Sequence, residues 1–446
     1  MSKIKQKFQC NYCNYNTLKW LGCCPGCNKW ETLKEVQQSS LTKKIVSKNI
    51  NVQNLETVPT TTYKRMLCNI IEWDRVIGGG IVPGSFLVLT GDPGIGKSTL
   101  LLQISDKLSQ NYKALYFSSE ESLQQIKARA LRLGIKNSQL LFSDEANLHN
   151  IIATTEQIKP YIIIIDSIQN CYIKDTQTTP GSIGQLKEST FLLMRLAKEN
   201  NIAIIISGHI TKNGTIAGPK TLEHMVDGVF YLRGEDRWQT RVLRSVKNRF
   251  GSTGELGFFS MQSGGLEQVK NINEQLISEI TNCPGSVLVS VMEGSQPLLL
   301  ELQALTIKSK LAIPQRVISG IDHKQVVLIA AILEKYLDIK LSLHDIFFKV
   351  GGGFKIKGSS TDLGIALALL SSYFKQPLPE KSIALGEISL TGQIKPINKV
   401  ATYINEAKKF GIRKFLIAET QDLKVSDCII EKFSNVYELL KLFIKK

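Results

Sequence analysis

Residues 91–99 read GDPGIGKST, which is a complete G-x-x-x-x-G-K-[ST] phosphate-binding loop, or P-loop. An apolar run precedes the loop at residues 86–90, and an amphipathic run follows it at residues 100–108. Phosphate binding needs this order of strand, loop and helix, because the backbone N–H groups of the turn and the amino end of the helix face the same anion. The stretch therefore predicts a nucleotide-binding α/β core.

Each residue type in the P-loop has a chemical role. Gly91, Gly94 and Gly96 let the backbone turn its N–H groups inward onto the phosphates. Lys97 would reach the β- and γ-phosphates, and Ser98 would hold Mg²⁺, so ATP and Mg²⁺ are the expected cofactors. The predicted nucleotide contacts are Gly91, Asp92, Pro93, Gly94, Ile95, Gly96, Lys97, Ser98, Thr99 and Asp166.

Strand-like apolar runs alternate with helical patterns from about residue 66 to residue 270. The predicted strands are 85–90, 114–119, 161–167, 202–208 and 228–232, and the predicted helices are 98–110, 122–133, 147–158 and 184–199. Such alternation indicates a mostly parallel sheet with helices on both faces. A second mixed α/β region, without a second P-loop, begins near residue 281.

Acidic residues follow two of the predicted strands. Asp166 ends the apolar run YIIIID and is predicted to hold Mg²⁺, directly or through water. Since Ser167 and not a glutamate follows it, the group that activates the attacking water must come from elsewhere. The strand ALYFSS, which we expect beside the P-loop strand, ends in Glu120 and Glu121. We choose Glu120 as the catalytic base, because it leaves the strand first, and keep Glu121 as the alternative.

Two further groups of polar residues lie at the ends of predicted strands. His209 follows the strand IAIIISG, where it could sense the γ-phosphate or be a structural histidine. Lys247 and Arg249 belong to the motif KNRFG and are two positions apart, so they project to one face of a strand. Two cations on one face predict a pair that completes a neighbouring subunit's site in trans, as arginine fingers do. A solvated basic strand is the alternative.

Four cysteines near the start of the chain form two C-x₂-C knuckles separated by ten residues: Cys10, Cys13, Cys24 and Cys27. Each knuckle presents two thiolates to one tetrahedral ion, and a fully protein-ligated set predicts a structural zinc. Cys23 could replace Cys24, but only Cys24 keeps the two-residue spacing to Cys27. We also expect Trp20 and Trp30 to cover the knuckles.

Composition and charge bound the remaining possibilities. The chain has 446 residues and 55 Lys and Arg against 39 Asp and Glu, a net charge of +16 that favours a polyanionic partner such as nucleic acid. The start MSKIKQKFQC has no apolar core of a signal peptide, and no apolar run approaches a membrane span, so we expect a soluble, cytoplasmic protein. The predicted domains are a zinc finger (1–34), a linker (35–60), an ATPase core (61–270) and a second α/β domain (281–446).

The chain resembles the RadA (Sms) family of bacterial DNA repair proteins in six motifs and in their order. These are the Cys₄ knuckle, GDPGIGKST, YFSSEES, IDSIQ, GHITKNGTIAGPKTLEHMVDGVFY and KNRFG. The resemblance implies a RecA-like ATPase core, a ring-shaped homo-hexamer and a RecA-type recombinase as a possible partner. It also implies ATP-driven movement on single-stranded and branched DNA, with branch migration during homologous recombination.

The resemblance extends to individual residues. In RecA-like cores the glutamate that ends the second strand activates water, which supports Glu120, and the family's KNRFG lysine and arginine map onto Lys247 and Arg249. RecA-like cores also bind DNA through two loops at the ring axis, here about residues 168–182 and 211–220. The second loop carries Lys212 and Lys220, the predicted DNA contacts.

The last domain resembles the Lon protease domain. GGGFKIKGSSTDLGIALALL corresponds to the nucleophile segment and GEISLTGQIKPINKVATYINEAKKFG to the lysine segment. Lon chemistry needs a serine activated by a lysine. Asp362 aligns with the serine and Ala401 with the lysine, so we expect no protease activity. The fold would then serve as a scaffold for hexamer assembly and DNA contact.

Two functional hypotheses remain from the sequence. The first is an ATP-driven DNA motor, or helicase, for recombination and repair. The alternative is a DNA-independent P-loop ring ATPase that regulates protein partners. The basic charge, the zinc finger and the two loops favour the first.

Overall fold

The structure is a computed structural model that describes residues 7–13, 15–36, 54, 56, 64–135, 139–174, 179, 181–209, 222–235, 240–278, 280–423 and 426–444. The chain divides into two compact units, Met1–Thr62 and Tyr63–Lys446. No helix in these ranges is both long enough and apolar enough to span a membrane.

The first unit is a small antiparallel sheet around the cysteines. Its strands are β1 (Lys7–Cys10), β2 (Asn16–Thr17) and β3 (Leu33–Val36), in the order β2-β1-β3. Among its described residues, the buried apolar cluster consists of Cys10, Cys24 and Leu33, with the partly buried Phe8 and Cys27 packed against it. Apolar clusters of this size usually need a metal or another cross-link to stabilise a fold.

The second unit begins with a nine-stranded sheet in the order β12-β11-β10-β9-β4-β8-β7-β5-β6. Its strands are β4 (Phe86–Gly91), β5 (Ala114–Ser118), β6 (Leu141–Ser143), β7 (Ile162–Asp166), β8 (Ala203–His209), β9 (Gly228–Glu235), β10 (Thr240–Asn248), β11 (Leu256–Gln262) and β12 (Gly265–Gln268). Strands β4 to β9 pair in parallel, and β10 to β12 add an antiparallel edge.

Helices cover both faces of this sheet, as the sequence predicts. They are α1 (Ile71–Val76), α2 (Lys97–Ser109), α3 (Leu123–Arg132), α4 (Leu148–Ile158) and α5 (Ile183–Asn200). Alternate strand residues enter two separate apolar clusters: Leu87 and Leu89 pack with α2, whereas Phe86 and Val88 pack with α4 and α5. The period-2 alternation of strand side chains explains why apolar residues are needed at every central position.

A second sheet follows within the same unit, with seven strands in the order β15-β16-β14-β13-β17-β20-β21. The strands of this region, including the separate β18–β19 pair, are β13 (Ser286–Glu293), β14 (Gln296–Lys308), β15 (Arg316–Ser319), β16 (His344–Val350), β17 (Ser382–Leu385), β18 (Glu387–Ile388), β19 (Ile394–Lys395), β20 (Lys414–Ala418) and β21 (Ile429–Phe433). Its helices are α6 (Ile272–Ser278), α7 (His323–Leu337), α8 (Asp362–Phe374) and α9 (Val400–Lys409).

The two sheets share apolar packing. Val242, Leu256 and Phe258 of the first sheet belong to the same buried cluster as Val289 and Leu300 of the second. One apolar cluster therefore contains residues from both sides of the domain boundary predicted between residues 270 and 281. That boundary stays a prediction.

Candidate nucleotide and zinc sites

The P-loop connects β4 to α2 at the carboxyl edge of the parallel strands. Gly91 has φ +156°, and a Cβ there would lie 2.2 Å from the carbonyl oxygen of Leu232. Gly96 has φ +112° and precedes the first residue of α2. Side chains are disfavoured at both positions, which explains the two glycines. The loop has the conformation and helix start that a bound anion requires.

The Lys97 ammonium lies inside the P-loop. Its Nζ donates hydrogen bonds to the carbonyl oxygens of Gly91, at 2.9 Å, and Asp92, at 3.0 Å, and the residue is 5% exposed. Burial lowers the pKa of Lys97, and the negative charges of Asp166 and Glu120 oppose that shift. A phosphate is a stronger partner for an ammonium than a carbonyl, so this buried cation fits a nucleotide.

Asp166 ends β7 and is held by two hydroxyl groups. Its Oδ2 accepts a hydrogen bond from Tyr116 Oη at 2.7 Å, and its Oδ1 accepts one from Ser207 Oγ at 2.5 Å. Asp166 is 7% exposed. Desolvation, followed by the charge of this carboxylate, raises the pKa of Tyr116 well above its usual range, so the hydroxyl stays a donor. Tyr116 and Ser207 were not predicted from the sequence, although each lies on a strand next to β7, near the same end of the sheet.

The two glutamates after β5 have different partners. Glu121 forms a 2.5 Å ion pair with Arg129 of α3. Glu120 accepts a hydrogen bond from Ser167 Oγ, next to Asp166, and its charge acts on Lys97. The expectation that β5 lies beside the P-loop strand is wrong, because β8 and β7 separate β5 from β4. Glu120 still approaches the P-loop, since all these strands end at one edge.

Lys247 and Arg249 lie at the opposite end of the strands from the P-loop, near the start of β4. Asn248, which ends β10, pairs with Gly228 at the start of β9, and Gly228 pairs with Leu87 near the start of β4. Lys247 Nζ donates to the carbonyl oxygen of Glu223. The register shifts between Ser245 and Lys247, so a bulge precedes the pair.

A buried carboxylate fixes Arg249. Asp227 is 4% exposed, and its Oδ1 lies 3.3 Å from Arg249 Nη1. Its Oδ2 accepts from Lys198 Nζ at 2.7 Å and from the backbone N–H of Phe86 at 3.0 Å. The Arg249 side chain remains 61% exposed. The arginine is therefore anchored at its own subunit's surface and open to a partner.

Other predicted site residues are only partly described. His209 pairs with Gly91 across β8 and β4, which places its backbone beside the P-loop, but its side chain lies outside the described part. Lys212 and Lys220 lie outside the described residues altogether. Of the first predicted DNA loop, Tyr172 is 38% exposed, and its backbone N–H donates to Ala146 O at 3.0 Å.

The four cysteines of the first unit converge. The Sγ atoms of Cys10, Cys13, Cys24 and Cys27 all lie within 4.8 Å of one another. Cys10 Sγ is 3.7 Å from Cys27 Sγ, and Cys13 Sγ is 3.5 Å from Cys24 Sγ. Tetrahedral ligands at about 2.3 Å from zinc are separated by about 3.8 Å, so this donor set fits the ion. Cys24, and not Cys23, completes the group.

The cysteine alternative gives a direct test of the zinc site. We expect one zinc per chain, loss of that zinc in Cys24→Ser, and its retention in the matched control Cys23→Ser, because only Cys24 belongs to the sulfur group. Elemental analysis of freshly purified protein measures the stoichiometry, and X-ray absorption should report four sulfur ligands at about 2.3 Å. Loss of zinc from Cys23→Ser with retention in Cys24→Ser would contradict the assignment. Cys10→Ser should leave nucleotide binding largely intact.

The residues aligned with the Lon catalytic pair occupy different environments. Asp362 begins α8 and is 5% exposed; its carboxylate accepts hydrogen bonds from Gln325 Nε2 at 2.7 Å and the Ile388 N–H at 3.2 Å. Burial raises the pKa of Asp362 to about 6. Ala401 is an exposed residue in the first turn of α9. Neither side chain is the serine or lysine that the protease reaction uses.

Three family models match separate parts of the chain. They describe a rubredoxin metal-binding domain over residues 8–35, an AAA domain over 55–215 and subunit ChlI of Mg-chelatase over 327–421. The RadB recombinase, a solved structure, is 21% identical, covers 46% of this chain and all of its own, and superposes with a TM-score of 0.38.

Curated relatives match almost the whole chain. The DNA repair protein RadA of Listeria monocytogenes is 41% identical over 430 residues, which is 95% of this chain and 94% of the relative. The protein of that name from Aquifex aeolicus is 40% identical over 445 residues, covering 99% of this chain and 100% of its own length. The resemblance found in the sequence is confirmed, and the chain belongs to the RadA family of DNA repair proteins, with a RecA-like ATPase core, a zinc-binding Cys₄ unit and a Lon-like region.

Proposed function

We propose that this chain is an ATP-driven motor that assembles as a ring, moves on single-stranded DNA and extends branched intermediates in homologous recombination. One observation carries the proposal: the P-loop and the Lys247–Arg249 pair lie at opposite ends of the strands of one sheet. A subunit that has a nucleotide site at one end of its strands and an anchored but exposed arginine at the other end can complete its neighbour's site. Hydrolysis then becomes coupled to the contact between subunits.

The length of β4 supports action in trans. The backbone N–H of Arg249 donates to Asp227 O, and that of Asp227 donates to Phe86 O, which places Arg249 at the first residue of β4. Strand β4 has 6 residues and ends at Gly91. At about 3.3 Å per residue the strand spans about 17 Å, which an arginine side chain does not cover. The homo-hexamer implied by the family resemblance would supply the second subunit.

The chain's residues then take distinct parts in hydrolysis. Lys97 would exchange its carbonyl partners for the β- and γ-phosphates of ATP, and Glu120 would orient the attacking water and accept its proton. Ser98 and Asp166 offer hydroxyl and carboxylate oxygens, the ligand types that Mg²⁺ prefers, and each Asp166 oxygen retains a second acceptor site. Mg²⁺, when bound, neutralises the charge that develops on the phosphates.

The charge of the chain supports DNA as the partner. The net charge is +16, and the predicted loop 211–220 contains Lys212 and Lys220 among glycines. Loops with lysines and few aromatic residues grip phosphates with little sequence preference. The family relationship adds a RecA-type recombinase as a candidate partner and the cytoplasm as the expected compartment. Protease activity is not part of the proposal, because Asp362 and Ala401 replace the serine and the lysine.

Steady-state ATP hydrolysis with and without single-stranded DNA tests the proposal. We expect several-fold stimulation by DNA that falls as salt rises, because phosphate contacts release counterions. Native mass measurement should give a hexamer under the same conditions. Equal hydrolysis with and without DNA would contradict the motor and favour the alternative of a DNA-independent ring ATPase.

Lys212 and Lys220, the proposed DNA contacts, should each contribute to the salt dependence of DNA affinity. In Lys212→Ala and Lys220→Ala, the slope of log affinity against log salt should fall by about one each, because each substitution removes one phosphate contact. Lys127→Ala, an exposed lysine on α3, is the control and should leave the slope unchanged. Unchanged slopes in both loop variants would place the DNA contacts elsewhere.

A further inference from the structure

The zinc-binding unit exposes two tryptophans that its own packing does not use. Trp20 is 59% exposed and Trp30 is 76% exposed, so the expectation that they cover the knuckles is wrong. Both rings adjoin one point of the backbone: a Cβ on Gly22 would lie 3.5 Å from the Trp30 ring and 3.9 Å from the Trp20 ring. We call this pair of side chains the indole patch.

The backbone under the indole patch is cross-linked. Cys23 pairs with Trp30 in an antiparallel bridge, and the Glu31 N–H donates to Gly22 O at 2.8 Å. The zinc ligand Cys24 follows Cys23 directly, so metal binding fixes the segment that carries both rings. A rigid aromatic surface loses little conformational entropy when a flat ligand stacks on it.

Each tryptophan of the indole patch has an exposed lysine as its neighbour in the sequence. Lys19 precedes Trp20 and Lys29 precedes Trp30 in the sequence, and both are exposed. The Lys29 ammonium lies 3.1 Å from the centroid of the exposed Tyr12 ring, which holds a cation on the same small unit. Exposed aromatic rings that lie close together are typical of surfaces that bind a partner.

We propose that the indole patch stacks the unpaired bases of single-stranded nucleic acid, while Lys19 and Lys29 contact its phosphates. Aromatic side chains beside cations form the general site for single strands, because every base offers a flat face. Protein-docking surfaces are also rich in tryptophan but are depleted in lysine, so the flanking lysines favour nucleic acid over a protein partner. The inference rests on the proposed function, since it takes DNA as the ligand of the chain, but it adds a site outside the two predicted loops.

The test compares two ligands of equal length and charge on the full chain: an oligo-dT strand and an abasic deoxyribose-phosphate strand. We expect the Trp20→Ala/Trp30→Ala variant to bind oligo-dT at least about tenfold more weakly than the unsubstituted chain and to bind the abasic strand almost as before. Trp20→Phe/Trp30→Phe should recover much of the affinity, because phenyl rings still stack. Tyr161→Ala is the control, since Tyr161 is equally exposed, at 59%, but lies in the other unit.

Fluorescence provides a second readout. Trp73 is fully buried, so in a Trp238→Phe background quenching by oligo-dT should report on the indole patch. Zinc content shows that each variant keeps its fold. Equal weakening on both ligands, or an oligo-dT affinity that the tryptophan substitutions leave unchanged, would overturn the inference. If the unsubstituted chain binds oligo-dT and the tryptophan substitutions do not change that affinity, only this inference fails. If the unsubstituted chain binds neither strand, the proposed function fails as well.

Discussion

Replacing Arg249 by alanine is expected to lower DNA-stimulated ATP hydrolysis about 10³-fold, the effect of removing an arginine finger. Nucleotide binding and folding should persist, because the Arg249 side chain is 61% exposed and lies at the edge opposite its own P-loop. The loss should appear in the maximal rate of hydrolysis, measured at saturating ATP and DNA. A nucleotide dissociation constant close to that of the unsubstituted chain completes the expected result.

Lys198→Ala provides a matched control for this variant. Lys198 and Arg249 pair with different oxygens of the same buried carboxylate, Asp227, and their side chains are 49% and 61% exposed. If Arg249→Ala acted only by leaving Asp227 with fewer partners, Lys198→Ala should cause a similar loss. We expect Lys198→Ala to retain most of the hydrolysis, because Lys198 lies outside the KNRFG motif.

Mixing subunits tests whether Arg249 acts in trans. If the chain assembles as the proposed ring, Lys97→Ala assemblies lack the phosphate-facing ammonium and Arg249→Ala assemblies lack the arginine, so neither should hydrolyse ATP well. Mixed rings contain interfaces with an intact Lys97 on one side and an intact Arg249 on the other, and they should recover part of the activity. Absence of recovery, despite mixing shown by native mass measurement, would mean that Arg249 acts within its own subunit or only contacts DNA.

Local sequence patterns predicted the ATPase core well. YIIIID and IAIIIS are almost wholly apolar, and the structure places them as β7 and β8 in the centre of the sheet. The predicted helix at 122–133 begins where Ser122 caps α3, with a capping box to Gln125. These features were predictable because each depends on residues close together in the sequence.

The order of strands in the sheet and the exposure of side chains depend on contacts between residues that are far apart in the sequence. The predictions about the position of β5 and about the tryptophans were therefore wrong. Strand β5 follows β4 in the chain, yet β8 and β7 lie between them, so the adjacency expected for Glu120 was wrong. The hydroxyls of Tyr116 and Ser207 meet Asp166 only because three strands end at one edge. The zinc-binding unit is too small to bury Trp20, which no sequence pattern indicated.

Glu120→Gln is expected to bind ATP but to hydrolyse it about 10²- to 10⁴-fold more slowly, the usual contribution of a positioned general base. The amide keeps the size of the side chain and can still contact Ser167, whereas it cannot accept a proton from water. The loss should therefore appear in the maximal rate and not in nucleotide affinity, since proton acceptance stabilises only the transition state. Single-turnover hydrolysis with bound ATP separates the chemical step from product release.

Glu121→Gln is the matched variant, because it makes the same chemical change one residue away. Glu121 forms an ion pair with Arg129, so its loss should weaken the start of α3 slightly and leave most of the hydrolysis intact. Glu120 instead shares a hydrogen bond with the residue after Asp166, and its charge reaches Lys97, so only Glu120 faces the phosphate-binding edge. Normal hydrolysis by Glu120→Gln together with slow hydrolysis by Glu121→Gln would reverse the assignment. Such a result would require Arg129 to release Glu121 when ATP binds, which a charge-removing Arg129→Gln variant could then examine.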